Sequence, residues 1–152
     1  MFRLAYTPAM DEIRQRSVIV RLLYVSRAVG PQTTAVTDSI LSDRKRGITG
    51  ALCQGQGLCL QVLEGERSVI SRLYNHIAQD RRHQDVELLV LEEITQRRYA
   101  DWAMAHVTLS EDDPMIQLKH PEFDPYSAPG TVVMKMVNEL FSTGNRIRKT
   151  ST

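Results

Sequence analysis

The 152-residue chain carries 19 Lys and Arg against 18 Asp and Glu, a formal net charge of +1, with 42% hydrophobic and 24% charged residues. That balance belongs to an ordinary globular domain and excludes wholesale disorder and fibrous repeats. It also lacks the basic excess that nucleic acid or an acidic membrane surface would attract.

Residues 1–17 contain Asp11 and Glu12 and no long apolar run, so they read as an N-terminal extension and not a secretory signal. No later stretch is apolar enough to span a bilayer, which places the chain in the cytoplasm with Cys53 and Cys59 as reduced thiols. Val18 to Val25 (VIVRLLYV) is short, apolar and rich in β-branched residues, the pattern of a first strand that Gly30-Pro31 breaks. Thr33 or Thr34 can cap a short helix through Leu41, with Val36, Ile40 and Leu41 on its apolar side.

Gly47 to Gln54 and Leu58 to Leu63 are strand-like runs joined by Gly55-Gln56-Gly57, a hairpin signal that would let Cys53 and Cys59 face each other as inert buried thiols. Glu66 to Asp80 places Val69, Ile70, Leu73 and Ile77 on one helical face. Val86 to Ile94 reads as a further strand, and Ala103 to Leu109 as a last edge strand. The order β-α-β-β-α-β-β predicts a ferredoxin-like α+β sheet over residues 18–109, with both helices on one face.

The other face also needs cover. Leu58, Leu60 and Val62 are apolar on one side of their strand, while Cys59, Gln61 and Leu63 occupy the other. The C-terminal extension, residues 110–152, supplies an amphipathic helix over Thr131 to Phe141 that would close this second face alone or with a partner subunit.

No Gly-rich phosphate loop, metal-ligand cluster or activated nucleophile stands out, so the sequence gives no support for an enzyme. The informative polar residue is Gln61, set in an apolar strand where a buried amide requires hydrogen-bond partners. Tyr24 is a candidate partner, because the first strand should lie beside the hairpin strand and direct both side chains to the helix-covered face. Read alone, the two residues also suit a satisfied pair in a plain core.

Five segments resemble, in order, motifs of the blue-light-using-flavin (BLUF) domain. They are Leu23 to Arg27 (LYVSR), Gly47 to Gly50 (GITG), Leu60 to Gly65 (LQVLEG), Asp80 to His83 (DRRH) and Asp101 to Met104 (DWAM). The resemblance implies non-covalent binding of FAD, or of FMN, between the two helices of the sheet. It implies that Tyr24 donates an electron to the photoexcited flavin, that Gln61 lies between the two, and that Trp102 and Met104 carry the rearrangement onward; these last two residue types also fill cores routinely.

It further implies that Asp43, in a shortened segment Ser42 to Arg46, stands where the family has a flavin-binding asparagine. His76 stands where the family has an arginine, and Asp80 completes the flavin-binding set. Two functions follow as expectations. One is a photoreceptor that signals through an effector protein, itself a homo-oligomer, with no role for nucleic acid or membrane. The other is a flavin-free interaction module on the same fold.

Overall fold

The computed structural model describes residues 18–29, 46–101, 104–142 and 148–150. The first strand is the central one: β1 (Ile19–Ala28) lies between β3 (Leu58–Glu66) and β4 (His83–Ile94), antiparallel to both. β2 (Thr49–Gly55) pairs antiparallel with β3, and β5 (Met104–Thr108) runs parallel to β2. β6 (Arg148–Thr150) lies antiparallel on the outer edge of β5, so the order is β4-β1-β3-β2-β5-β6. This is the expected ferredoxin-like α+β fold, with the expected last strand present as β5 and β6 added beyond it. Helix α1 (Arg67–Gln79) covers one face; α2 (Pro114–Gln117), a 3-10 turn at Pro121–Phe123 and α3 (Gly130–Ser142) follow the sheet.

Side-chain alternation divides the core in two. Val20, Leu22 and Tyr24 of β1 and Cys59 and Leu63 of β3 pack with Ile70 and Leu73 of α1. Leu23 and Val25, Leu58, Leu60 and Val62, and Ala105 and Val107 pack instead with Val133, Met134, Val137 and Phe141 of α3. The C-terminal helix therefore closes the second face. Its first residue must be small, because a Cβ on Gly130 would lie 2.0 Å from the Leu89 carbonyl oxygen of β4.

The β2–β3 connection is a two-residue turn, Gln56-Gly57, with φ of 53° and 81°. Two positive φ values match the right-handed twist of a hairpin, which explains the glycine. On the other side of β1 the ladder to β4 slips between Leu23 and Tyr24, so Leu89 has no register partner and both Leu89 and Val90 pack toward α3.

A buried ion pair crosses the α3 face. Glu64 is fully buried and receives Arg21 Nε at 2.8 Å, the Arg98 backbone N–H at 3.0 Å and the Tyr99 N–H at 2.8 Å. Arg21 also donates to Glu92 at 2.9 Å. Arg97 fastens the same turn from outside, donating to the carbonyl of Gly47 at 2.7 Å and to Thr49 Oγ1 at 3.0 Å. Tyr99 then reaches α3, donating from its hydroxyl to Asn138 Oδ1 at 2.8 Å and meeting Phe141 edge-on at 5.8 Å.

Several expectations are corrected. Cys53 and Cys59 do not face each other: Cys53 is registered with Leu60 and Cys59 with Gln54, so alternation sends the two thiols to opposite faces. Burial raises both thiols, Cys59 to about 11. β1 runs three residues beyond Val25 because Ser26 and Arg27 continue the ladder to Cys59 and Leu58. β4 begins at His83, three residues before Val86, because His83 and Gln84 pair with the extended end of β1. The helix expected between Thr33 and Leu41 lies outside the described residues. Among those residues, no helix is long and apolar enough to cross a membrane.

Two measurements check this account. Glu64→Gln is expected to lower stability by about 3 to 5 kcal/mol, since removing one member of a buried charge pair leaves the other uncompensated. A urea midpoint unchanged from wild type would contradict that role. Alkylation of Cys53 and Cys59 at pH 8 should follow global unfolding, and rapid labelling of the native protein would show that the thiols are less enclosed than described.

Candidate functional site

β1 and β3 bring Tyr24 and Gln61 directly opposite each other in the antiparallel ladder. Both project to the α1 face, where Tyr24 is 1% and Gln61 8% exposed. The Tyr24 hydroxyl donates to Gln61 Oε1 at 2.5 Å. The other end of the amide, Nε2, donates to Met104 Sδ of β5 at 3.5 Å. A line of contact thus runs from β1 through β3 to β5, on the far side of β2.

The two ends of that line differ in chemistry. A phenol hydroxyl on an amide oxygen is a good hydrogen bond, whereas a thioether is a weak acceptor for an amide N–H. The amide can turn over, presenting Nε2 where Oε1 now stands, without any change of volume. Around it lie Leu22, Ile48, Leu52, Leu63 and Leu73, an apolar lining in which the change of one hydrogen bond counts for more than it would in water.

This donor set suits the carbonyl edge of a flavin ring. Gln61 holds an N–H on a poor acceptor inside an apolar wall, and an oxidisable phenol is bonded to the same amide. α1 contributes Leu73, Tyr74 and Ile77 to that wall, and the Tyr74 ring centroid is 6.1 Å from that of Tyr24. Among the described residues no group of three or more His, Cys, Asp or Glu is arranged to hold a metal.

The remaining expected residues are spread more widely. His76 is exposed on the last turn of α1. Asp80 ends that helix, where the Arg82 guanidinium, bonded to both carboxylate oxygens, holds its carboxyl well below the usual carboxylate range. Asp43 and Trp102 lie outside the described residues.

Two groups of polar residues were not singled out by the sequence reading. One is Arg21, Glu64 and the Arg97 to Tyr99 turn, for which a signal existed: a charged residue inside an apolar run on each of two paired strands. The other is Ser26 with His83, whose Oγ and Nδ1 are 2.8 Å apart. No spacing rule would join residues so distant in the chain without the register of β1 on β4.

The chain resembles known proteins in sequence and in fold. Residues 19–105 match the family model described as sensors of blue-light using FAD, BLUF. The photoactivated adenylate cyclase subunit beta of Euglena longa is 29% identical over 141 residues, covering 87% of this chain and 16% of the relative. Subunit alpha from Euglena gracilis is 34% identical over 86 residues, covering 53% of this chain and 8% of the relative. The chain therefore spans less than a fifth of the length of these curated relatives.

Among solved structures, the dark state of the BLUF protein BlrB is 28% identical with a TM-score of 0.59, covering 79% of this chain and 98% of that one. BlsA in its photo-activated state has a TM-score of 0.69 at 23% identity, covering 88% and 99%, a likeness of fold. With the family model matching more than half of its residues, the chain belongs to the BLUF family, the sensors of blue light using FAD.

Proposed function

We propose that this chain is a blue-light sensor whose signal begins as a hydrogen-bond rearrangement at Gln61 and leaves through a protein partner. The observation that carries the reading is the Tyr24–Gln61–Met104 line, in which one buried amide is bonded to an oxidisable donor on one side and a weak acceptor on the other. When bound, the flavin supplies the light absorption and the excited-state oxidising power. FAD is the proposed species, held non-covalently beside α1, with Asp80 and His76 at the far end of that helix and with Asp43 as a further proposed binding residue.

With a flavin bound, Tyr24 would be the electron donor to it, and the bond to Gln61 would be the path by which the phenolic proton leaves. When both return, the amide settles with its donor and acceptor ends exchanged. Tyr24 would then face an N–H in place of an oxygen, and Met104 an amide oxygen in place of the Gln61 N–H. The strain falls on β5, which is parallel to β2 and carries β6 on its outer edge. The proposed output passes from there, with Trp102, to the region after residue 109 and to an effector, for which self-association of the sensor domain provides a platform.

The experiment is direct. Purified protein should be yellow, with a flavin absorption band that shifts reversibly under blue light, and chromatography of the acid-released cofactor should identify FAD. Protein that stays colourless after flavin addition would leave the fold as an interaction module. Tyr24→Phe should retain flavin, abolish the normal shift and lower stability by about 1 kcal/mol, the usual net worth of one hydrogen bond. Gln61→Leu should also abolish the shift, because an aliphatic chain has no ends to exchange; a wild-type shift in either variant would refute the role given to that residue.

A further inference from the structure

His83 opens β4 on the α1 side, beyond the hydrogen-bonded pair Tyr24 and Gln61. Its ring centroid is 6.2 Å from that of Tyr24 with the planes at 80°, an edge-to-face contact. Its Nδ1 is 2.8 Å from Ser26 Oγ, and Ser26 is fully buried. A serine hydroxyl that donates to Nδ1 requires the unprotonated nitrogen, so the neutral ring has a ready donor there.

Among the described residues, the groups that face this imidazole are Tyr24 and Ser26 of β1 together with Asp80 and Arg82 of the preceding turn. Tyr74 of α1 lies against Tyr24, and Cys59 of β3 is registered with Ser26. Burial, the largest influence, moves His83 below the ordinary imidazole value; Asp80 opposes that shift and Arg82 reinforces it.

We propose that neutral His83, oriented by Ser26, is a positioning residue for the light reaction and sets the electrostatic setting in which Tyr24 gives up its electron. The proposal rests on the sensor function given above. In that reaction one electron leaves Tyr24 for the photoexcited flavin, the oxidant, and the phenolic proton passes through Gln61 to the same acceptor. His83 exchanges neither. An imidazolium at the distance of this ring contact would oppose loss of the electron for as long as the oxidised phenol still holds its proton and is a cation, by a factor on the order of a hundred in equilibrium at an effective dielectric of about 20. A neutral imidazole imposes no such penalty and keeps the phenol ring in place.

The sign follows from the direction of the shift. The working form is fully present at pH above the ordinary imidazole value and is lost as pH falls through the lower value in the folded protein. The test pairs the yield of the light-induced absorption shift between pH 8 and pH 5, in flavin-loaded protein, with a nitrogen-15 NMR titration of His83 in flavin-free protein.

The wild-type yield should be level at and above pH 7 and fall at least fivefold as His83 titrates, with a midpoint that matches the NMR midpoint. His83→Gln, which retains a polar group for Ser26 but does not titrate, should give a level profile. A wild-type yield indifferent to the NMR-detected protonation would overturn the proposal while leaving the sensor function intact, and so would NMR showing His83 charged at pH 7. Absence of any shift in the wild type at pH 8 would overturn both. Because the wild-type comparison uses no variant, the proposal can fail even if His83→Gln does not fold.

Discussion

The Glu64 carboxylate is the fixed point of this molecule. A fully buried charge is tolerable only when its oxygens are engaged, and Arg21, Arg98 and Tyr99 engage them from the central strand and from the β4–β5 turn. The turn is thereby held to β3 by side-chain acceptance of two backbone N–H groups, which no sheet ladder could provide at that place. Tyr99 carries the same restraint to α3 through Asn138 and Phe141. One carboxylate thus sets the distance between the sheet, the turn that leads into β5, and the helix that closes the second face.

Glu64 is also three residues beyond Gln61 on β3, and alternation places the two on opposite faces. The strand therefore holds an immovable polar group on the α3 side and a reorientable one on the α1 side. This arrangement suits a sensor. The exchange proposed for Gln61 would occur against a backbone that Glu64 restrains, and would direct the displacement to Met104 and β5 instead of letting the strand itself absorb it. The bulge at Leu89 contributes to the same partition, since it sends two neighbouring β4 side chains to α3 beside the register position of Tyr24.

The sequence disclosed the periodic features well. Alternation in Leu58 to Leu63 announced a strand buried on both sides, and the spacing of Val69, Ile70, Leu73 and Ile77 announced α1. The pairing of Tyr24 with Gln61 followed from placing the first strand beside the hairpin. Features held by tertiary contact were less legible. The extension of β1 through Ser26 and Arg27 and the early start of β4 at His83 depend on polar residues that pair because the strands already lie together. β6 is made of Arg148, Lys149 and Thr150, which have no strand signal apart from the edge they join. α2 was hidden in a Pro-rich connection, although Pro114 in its first turn and the Asp113 cap on Met115 N–H are recognisable start signals. The two cysteines show the limit of spacing arguments: a one-residue offset in register put them on opposite sides of the sheet.

The place of β1 at the centre of the sheet has a consequence for how the chain is made. β1 is the first described strand to leave the ribosome, but the partner on one side ends at Glu66 and the partner on the other at Ile94. At about 5 to 20 residues per second, synthesis leaves the apolar stretch of β1 without its second neighbour for several seconds. During that interval it presents an unpaired edge of the kind that templates association between chains. The unfinished polypeptide, and not the completed domain, is therefore the state in which a chaperone has most to shield.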